Sequence, residues 1–421
     1  MIFLVDGDSF YASCERIFRP DLRNRPIAVL TNNDGLIIAL DRRCKELGFK
    51  RGDVYYQIKA RLEAEGVVVF SSNYTLYADI SARINTIYSR YAPETEFYSI
   101  DESFLFFPDW KNGDYTAIGH EIRNAVKTEI GVPVCAGIAP NKTLAKLCNK
   151  LAKTQGGVCE WSKIDQEEAL ARFPVGDIWG IGRHKTEFLT KRGVKTALDL
   201  KNYPLAKAKK DLSITGFKTV LELNGQRALE RIEHEARQSI SVSRSFSGAV
   251  SEERCLAGAL AEYTQEAVKR LREDGLLCRH VSVFVMAKPD DGDHYVNSAG
   301  TALPRPSSYF PHILGYAQTL LKTIFREGYG YRKVMIALNN LTKRADRELS
   351  LFDDNELDEK HERLMRVFDT INAKYGRGTI RMESSAFSDN TTAAEFAPWQ
   401  MKREFLSPAY TTKFSDIPKA Y

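Results

Sequence analysis

Residues 1–15, MIFLVDGDSFYASCE, and residues 96–107, EFYSIDESFLFF, decide the fold because each joins an apolar run to carboxylates. The run MIFLV is rich in branched side chains and predicts a buried strand that ends at Asp6. The second run predicts another buried strand, which carries Asp101 and Glu102. Neither run contains lysine or arginine, and a buried carboxylate is costly unless a positive group neutralises it. A divalent cation is the simplest partner, and Mg²⁺ prefers such oxygen ligands.

Each of these acidic motifs also has a simpler interpretation. Asp8 and Ser9 have the side chains of helix N-caps, placed just before a helix predicted to begin near Phe10. The pair Asp101-Glu102 has the composition of a polar turn that joins two strands. The acids taken singly leave both interpretations open.

Composition and charge indicate an ordinary multidomain protein. A chain of 421 residues with 43% hydrophobic and 27% charged residues predicts about two to four domains with ample core. The net charge of +5 is too small to indicate a nucleic-acid partner. Lys142, Lys146, Lys150 and Lys153 are spaced to share one helical face, and the favoured interpretation of such a stripe is a solvated helix surface.

The cysteines and the apolar runs indicate a cytoplasmic location and no membrane span. The seven cysteines include no C-x-x-C pair, which is typical of a reducing compartment. Cys14, Cys135 and Cys148 have apolar neighbours and are predicted core residues. The apolar run at the N-terminus is too short for a signal peptide, and no run of about 18 apolar residues occurs.

Several longer segments carry a family resemblance. DGDSFYASCE (6–15), YSIDESF (98–104), GIAPNKTLAKLCNKLAKTQGG (137–157) and WGIGRHKTEFLTKRGVKTALDL (179–200) occur in the order found in Y-family translesion DNA polymerases. FRPDLRNRPIAVLTNNDG, FSSNYTLYAD, SRSF and the tail WQMKREFLSPAYTT are similar to the UmuC-like members, the catalytic subunits of bacterial DNA polymerase V. The resemblance spans nearly the whole chain.

This resemblance implies an α/β (α+β) multidomain fold, the right-hand polymerase. Its expected domains are a palm (1–25 and 72–165), small fingers (26–71), a helix-hairpin-helix thumb (166–235), a little finger (240–341) and a C-terminal region that binds the clamp and other partners (342–421).

The resemblance also implies an activity, a cofactor and partners. The expected function is error-prone, DNA-templated DNA synthesis past lesions in SOS repair and mutagenesis, with two Mg²⁺ ions. Asp6, Asp101 and Glu102 match the catalytic metal-binding acids, and the carbonyl of Gly7 is a further ligand by the same resemblance. The implied partners are primer-template DNA, deoxynucleoside triphosphates, a processed UmuD-like dimer, RecA and the sliding clamp.

Nucleotide contacts are implied at Phe10, Tyr11, Lys45 and Lys153. The ring of Tyr11 is expected to lie against the sugar and to leave no room for a 2′-hydroxyl. Lys45 and Lys153 match positions that contact the triphosphate. Phe10 fits equally well as an aromatic residue that packs a helix onto a sheet.

DNA contacts are implied where the sequence resembles a helix-hairpin-helix. Gly180 and Gly182 permit a tight turn whose amides bind a backbone phosphate, with Arg183 and Lys185 beside them. Such a contact positions the DNA without reading its sequence.

Residues 348–352, ELSLF, resemble the pentapeptide with which bacterial polymerases dock on the sliding clamp. Leu349, Leu351 and Phe352 have the apolar character of anchors for a groove. Glu348 replaces the usual glutamine and cannot donate its amide hydrogen bonds. Local packing is the alternative interpretation.

Two competing functions follow from the same motifs. One is a stand-alone lesion-bypass polymerase of the DinB type, against which the UmuC-like tail argues. The other is a non-catalytic DNA- or clamp-binding scaffold, which has no need for the acids, Tyr11 and Lys153 together.

Overall fold

The computed structural model describes residues 1–110, 113–231, 237–287, 294–346, 355–375, 379–380 and 402–418. The chain divides into two compact units, the first made of Met1–Glu233 with Arg403–Tyr421 and the second of His234–Lys402. Both units combine helices and sheets, which confirms the predicted mixed, multidomain fold class. Among the described helices, none is long and apolar enough to cross a membrane.

The first unit contains eight named strands and eleven α-helices among its described residues. In chain order they are β1 (Ile2–Gly7), α1 (Phe10–Ile17), β2 (Ile27–Leu30), β3 (Ile37–Leu40), α2 (Arg42–Glu46), α3 (Tyr55–Ala64), β4 (Val68–Ser71), α4 (Tyr74–Tyr91), β5 (Glu94–Phe97), β6 (Glu102–Phe106), α5 (Tyr115–Glu129), β7 (Val134–Ala139), α6 (Lys142–Ala152), β8 (Val158–Glu160), α7 (Gln166–Arg172), α8 (Arg183–Thr190), α9 (Ala197–Lys201), α10 (Leu205–Asp211) and α11 (Ile214–Leu223).

A five-stranded sheet in the order β5-β6-β1-β7-β8 forms the centre of this unit. The strand β1 lies in the middle, antiparallel to both neighbours, and all six of its residues are buried. Because side chains alternate across a strand, Phe3 and Val5 enter one core while Ile2 and Leu4 enter the other. The apolar run at the N-terminus therefore holds together two layers of the unit.

Helix α6 packs directly on the sheet because Gly137 leaves room for it. A Cβ atom at Gly137 would lie 2.1 Å from the Asn149 backbone nitrogen and 2.2 Å from the Ala145 carbonyl oxygen. The Asn149 side-chain amide donates hydrogen bonds to the carbonyl oxygens of Leu4 (3.1 Å) and Cys135 (2.7 Å). These contacts determine where the lysines of α6 lie.

Helix α1 follows β1 after a single tight turn. Ser9 occupies the N-cap position with φ of 49°, and its side chain makes no capping hydrogen bond. The Ser13 hydroxyl instead donates to the Asp8 carbonyl oxygen at 2.8 Å. The predicted helix start is thus correct, although side-chain capping is not its cause.

A second sheet, in the order β3-β2-β4, occupies the region predicted as the fingers. Strand β2 pairs antiparallel with β3 and parallel with β4. Its small core includes Leu30, Ile37, Phe49 and Leu62. The short helices α7 to α11 follow the central sheet and enclose a core shared with α6.

The second unit contains β9 (Ser239–Val250), α12 (Glu253–Glu273), β10 (Leu276–Ala287), β11 (Tyr295–Ser307), α13 (Phe310–Ile324), β12 (Tyr331–Lys343) and α14 (Asn355–Tyr375). Its sheet order is β11-β10-β12-β9, with antiparallel pairs throughout. The sequence predicts strands at SISVSRSF (239–246), HVSVFVMAK (280–288) and YRKVMIAL (331–338) and a helix at LAEYTQEAVKRLRE (260–273), which match β9, β10, β12 and α12, but it does not predict β11 or α13. Strand β11 lies at the sheet edge and carries a glycine and two prolines, which conceal a strand in a sequence.

The chain returns to the first unit at its C-terminal end. The Ser71 backbone N–H donates to the Phe405 carbonyl oxygen, and the Phe405 N–H donates to the Ser71 hydroxyl, each at 3.0 Å. Residues Arg403–Tyr421 therefore group with the first unit, unlike the single C-terminal region predicted from residue 342. No local sequence pattern predicts that the C-terminal residues pack on the first unit, because this packing depends on contacts between residues more than 300 positions apart.

Candidate active site

The three predicted acids meet at one end of the central sheet. The run predicted as one strand is a hairpin, in which the N–H groups of Tyr98 and Ser99 donate to the Glu102 carbonyl oxygen at 3.1 and 3.0 Å. Asp101 lies in the turn, so the interpretation as a turn between strands is locally correct. Glu102 is the direct strand partner of Asp6. The N–H of the next residue, Gly7, donates to the Asp101 carbonyl oxygen at 2.9 Å.

Two lysines, one within α6 and one at its C-cap, form ion pairs with two of the acids. The Lys153 ammonium lies 3.0 Å from Asp6 Oδ2, and the Lys146 ammonium lies 2.8 Å from Glu102 Oε2. The inference that a divalent cation is the simplest partner was therefore incomplete, since it considered the charges within the two strand segments alone.

The predicted solvated surface for this lysine stripe is correct for only half of it, because Lys150 and Lys153 are exposed while Lys142 and Lys146 are largely covered. Lys142 is only 2% exposed and contacts Glu96 at 2.7 Å, while Lys150 contacts Asp177 at 2.6 Å. Each lysine of the stripe thus pairs with an acid of the first unit. Spacing places the four on one face, but only packing against Gly137 turns that face toward the sheet end.

The environment of Asp6 favours a bound cation. Burial raises the pKa of this carboxyl to about 6, Lys153 acts in the opposite direction, and the charges of Glu102 and Asp101 raise it further. The negative charges are therefore only partly compensated by lysine. A divalent ion at this place relieves the same repulsion.

The side chains do not form a ready-made metal cage. Within the described part of the chain, no three histidine, cysteine, aspartate or glutamate side chains are arranged as a metal site. The Asp101 carboxylate accepts a hydrogen bond from the Ser99 hydroxyl at 2.6 Å, while the other two acids face lysines. The donor set still fits Mg²⁺, because all three groups are carboxylates on adjacent strand ends and their present partners are displaceable.

Aromatic side chains form the neighbouring wall of the site. Tyr11 stacks on Tyr77 with ring centroids 4.4 Å apart and planes at 14°, and Tyr74 meets its edge at 5.9 Å. Burial, followed by the charges of Tyr74 and Asp101, raises the pKa of Tyr11 to about 12. Phe10 is 4% exposed and belongs to the core of the sheet, which agrees with the interpretation as a packing aromatic.

The basic residues around α2 are arranged differently from those of α6. Lys45 is exposed and makes no ion pair among the described residues. Asp41 caps α2 by accepting from the Cys44 N–H at 2.9 Å and pairs with Arg16 at 2.6 Å. Arg51 lies near enough to Tyr11 for its charge to lower the pKa of that phenol. Sequence analysis assigned no role to Arg51.

A cavity of about 280 Å³ opens beside Asp6 and Glu102. The Lys146 ammonium lies in its wall, 4.4 Å from the ring centroid of Tyr98 and 5.0 Å from that of Trp179. The Trp179 indole N–H donates to the Tyr98 hydroxyl at 3.2 Å. Sequence analysis did not predict that Lys146 and Trp179 line the site. Both residues lie inside the segments that resemble the family, and this was the signal that could have identified them.

The predicted helix-hairpin-helix turn precedes α8. Gly180 has φ of +88°, and an added Cβ would lie 2.7 Å from Thr219 Oγ1, so glycine is required there. Gly182 is the N-cap of α8 and has open space where a Cβ would stand. The Lys185 ammonium donates to the Gly180 carbonyl oxygen at 3.0 Å and so stabilises the turn, while Arg183 is exposed.

The predicted clamp-binding residues Glu348, Leu349, Leu351 and Phe352 lie outside the described residues. Their assignment stays a prediction.

Comparisons with known proteins match most of the chain. The impB/mucB/samB family matches residues 5–150, and its C-terminal domain matches residues 237–351. A domain of unknown function, DUF4113, matches residues 362–420. The protein UmuC of Salmonella typhimurium is 40% identical over 99% of both chains. ImpB of the same species is 36% identical over 100% of this chain and 99% of its own.

More distant relatives share the fold. DNA polymerase IV 2 of Bacillus subtilis is 28% identical over 90% of this chain and 93% of its own. The insertion ternary complex of Dbh DNA polymerase covers 81% of this chain and 99% of its own, with a TM-score of 0.55 and 20% identity. A Y-family polymerase chimera of Dbh and Dpo4 has the same coverage and identity and a TM-score of 0.66. The chain therefore belongs to the UmuC-like branch of the Y-family DNA polymerases.

Proposed function

We propose that this chain performs error-prone, DNA-templated DNA synthesis past lesions, with Asp6, Asp101 and Glu102 as its catalytic acids. Membership of the family makes it a DNA-directed DNA polymerase of the translesion class. The observation that carries the residue assignment is the register of the central sheet, which sets Glu102 opposite Asp6 and Asp101 beside Gly7.

The acids would hold two Mg²⁺ ions together with the Gly7 carbonyl. Bound Mg²⁺ supplies charge neutralisation for the triphosphate and favours ionisation of the primer 3′-hydroxyl. The carboxylates position these charges at the end of a rigid sheet. The family uses divalent metal ions, and the number and identity of the ions are part of this proposal.

Lysines near the acids have a proposed role in binding the triphosphate. Lys153 is 39% exposed while it contacts Asp6, so its ammonium can turn toward a phosphate when a metal ion takes its place at the carboxylate. Lys45 is exposed on α2 and is proposed as a second phosphate contact. The exchange keeps charges balanced before and after the nucleotide binds.

Tyr11 is proposed as the gate that selects deoxynucleotides. Its ring packs against the aromatic residues of α4, lies close enough to Asp101 for that charge to raise its pKa, and is partly exposed. A rigid ring beside the sugar excludes a 2′-hydroxyl by steric contact. Phe10, being buried, would act by supporting this wall rather than by touching the nucleotide.

DNA and nucleotides are the substrates that the polymerase relatives imply. The open space at Gly182 and the N-terminus of α8 support a phosphate contact there. A processed UmuD-like dimer, RecA and a sliding clamp that binds residues 348–352 are proposed partners. The relationship to UmuC supports the first of these. The cytoplasm, where such substrates are found, is the proposed location.

Primer extension tests the assignment of the acids. Asp101→Asn removes a metal-binding charge with little change of shape and is expected to lower extension with Mg²⁺ by at least about 1,000-fold, since charge stabilisation is the main contribution to such catalysis. DNA affinity should change little, because it rests on phosphate contacts elsewhere. Asp79→Asn on the exposed side of α4 is the matched control. Wild-type extension by Asp101→Asn would refute the assignment.

A further inference from the structure

We infer that the C-terminal segment 404–410 contributes to the selection of deoxynucleotides over ribonucleotides. Ser407 in this segment positions the Tyr11 gate through Asn73, Glu15 and Tyr77. The inference rests on the proposed role of Tyr11 as the gate. It gives a specificity function to a stretch that lies within a domain of unknown function.

The segment is anchored upstream by a buried carboxylate. The Glu404 N–H donates to Asp34 Oδ2 at 2.8 Å, and the Ser71 hydroxyl donates to Asp34 Oδ1 at 2.6 Å. Phe405 exchanges two backbone-based hydrogen bonds with Ser71, and its ring meets Tyr55 edge-on at 5.7 Å. Asp34 is only 7% exposed, so these bonds are shielded from water.

The segment is anchored downstream by an aromatic stack. Tyr410 is 8% exposed and stacks on Phe18 with centroids 4.6 Å apart and planes at 16°. Phe18 directly follows α1, the helix that carries Tyr11 and Glu15. Residues 404–410 are therefore held at both ends, and Ser407 lies between the anchors.

Ser407 controls the start of helix α4. The Asn73 side-chain amide donates to the Ser407 hydroxyl at 2.9 Å, and the other end of the same amide, Oδ1, accepts from the Leu76 N–H at 3.2 Å. The hydrogen bond to Ser407 thus orients the amide that caps α4. Tyr77 lies in the first turn of that helix and takes its place from this cap.

Ser407 also meets the buried carboxyl that holds Tyr77. Glu15 is fully buried, and its Oε1 accepts a hydrogen bond of 2.6 Å from the Tyr77 hydroxyl. Burial raises the pKa of Glu15 to about 7, and the hydroxyls of Tyr77 and Ser407 act in the opposite direction. Glu15 Oε2 has no partner within hydrogen-bond geometry among the described residues, so Ser407 is a close electrostatic neighbour rather than a full second donor.

The Tyr77 ring transmits this support to the gate. It is completely buried and stacks almost parallel to Tyr11 at 4.4 Å. Movement of the Tyr11 ring toward α4, away from a bulkier sugar, requires Tyr77 to move as well. Tyr77 is held by Glu15 on one side and by the Asn73 cap on the other, and both of these groups contact Ser407.

Such support should affect sugar discrimination more than deoxynucleotide insertion. A deoxynucleotide does not press against the ring, so a looser ring costs its insertion little. A ribonucleotide gains when the ring can move. A purely structural role for the segment would instead lower both reactions together.

Single-nucleotide insertion kinetics with the full-length chain test the inference. The readout is the ratio of kcat/KM for a deoxynucleotide to that for the matching ribonucleotide. Ser407→Ala and Tyr77→Phe should each lower the ratio about 3- to 10-fold, as expected for loss of one buried hydrogen bond, with deoxynucleotide kcat/KM within about twofold. Ser415→Ala, just beyond the segment, and Tyr91→Phe, on the same helix as Tyr77, should leave the ratio unchanged.

A double-variant cycle shows whether the effect acts through Tyr11. Tyr11→Ala alone should lower the ratio most, and adding Tyr77→Phe or Ser407→Ala should lower it no further. An unchanged ratio in both single variants, or equal losses for both sugars, would overturn the role of the segment while Tyr11 stays the gate. If Tyr11→Ala keeps full discrimination, the gate assignment itself fails and the inference with it. Failure of the segment's role and failure of the gate assignment therefore give different results. If Ser407→Ala does not fold, Tyr77→Phe still tests the inference.

Discussion

The two ends of the active site are held in place by different physical means. At the acid end, Asp6 and Glu102 contact lysines whose side chains are 39% and 17% exposed. At the aromatic end, Tyr77 and Glu15 are fully buried and joined by a short hydrogen bond. The acids proposed to react are thus held by contacts that water can replace, whereas the residues that support the proposed gate, Tyr77 and Glu15, are held by a contact that water cannot reach.

This difference in exposure fits the two proposed tasks, catalysis at the acid end and sugar selection at the aromatic end. The lysines of both ion pairs reach solvent, so a metal ion or a phosphate can displace them from the carboxylates while their ammonium groups stay hydrated. Breaking a buried hydrogen bond leaves polar groups without water and costs about 1–3 kcal/mol. Under the proposed roles, exchangeable contacts allow the acids to change partners in each catalytic cycle, while the aromatic wall has to keep its shape.

Among the variants that test this comparison, Gly137→Ala should have the largest effect on primer extension, because it displaces the helix that carries the lysines of the acid end. The new methyl group would overlap backbone atoms of α6, so the helix must move and carry Lys146 and Lys153 from the carboxylates. We expect destabilisation of about 1–3 kcal/mol and a loss of primer extension of about 100-fold. Residual product should keep its preference for deoxynucleotides.

Thermal unfolding and primer extension measure this effect, with Gly315→Ala as the matched control. Gly315 lies in α13 with open space around its added Cβ, so its variant should be as stable and active as the parent. A Gly137→Ala protein that matches the parent in both assays would contradict the close packing of α6.

Glu15→Gln should show how the buried carboxyl at the aromatic end makes the stability of the protein depend on pH. The pKa of Glu15 is raised from 4.5 to about 7 mainly by burial, and the titratable groups that face it are Tyr77, Cys14 and Tyr410. Between pH 4.5 and 7 the folded protein therefore holds one proton on Glu15 that the unfolded chain has released. The free energy of unfolding that this proton contributes is lost as the pH rises through 7. Glutamine avoids this loss and still accepts from Tyr77.

The variant should be about as stable as the parent at pH 5 and more stable at pH 8.5, by up to about 3 kcal/mol. Differential scanning calorimetry at both pH values measures the change in Tm. A gain of equal size at both pH values would show that the buried carboxyl does not titrate in this range.

Lys146→Met should have the smallest effect. It tests whether the lysine contacts at the acid end can be exchanged for a bound metal ion. Its ammonium competes with a cation for Glu102, so its removal should lower the Mg²⁺ concentration for half-maximal extension by about two- to fivefold. Lys163→Met, whose lysine pairs with Asp114, is the control. A higher Mg²⁺ requirement would mean that Lys146 orders Glu102 for the metal.

Sequence patterns predicted the elements whose signal is local. The apolar run before Asp6 is a buried central strand, and the strands β9, β10 and β12 lie at the segments that the sequence predicted as strands. The edge strand β11 was missed because its exposed, glycine- and proline-containing sequence resembles a loop. Among the proposed site residues, the acids and Tyr11 were identified through family-like motifs rather than through periodicity.

By itself, the sequence determined the family, the strand that carries Asp6 and the presence of a lysine stripe with one helical face. Only the tertiary structure decided where that face points and which acids Lys146 and Lys153 meet, because the packing of α6 depends on the missing side chain of Gly137. It alone also placed Ser407 beside Asn73. Such contacts join distant segments, and their energy depends on burial and mutual geometry, which no local pattern of residues encodes.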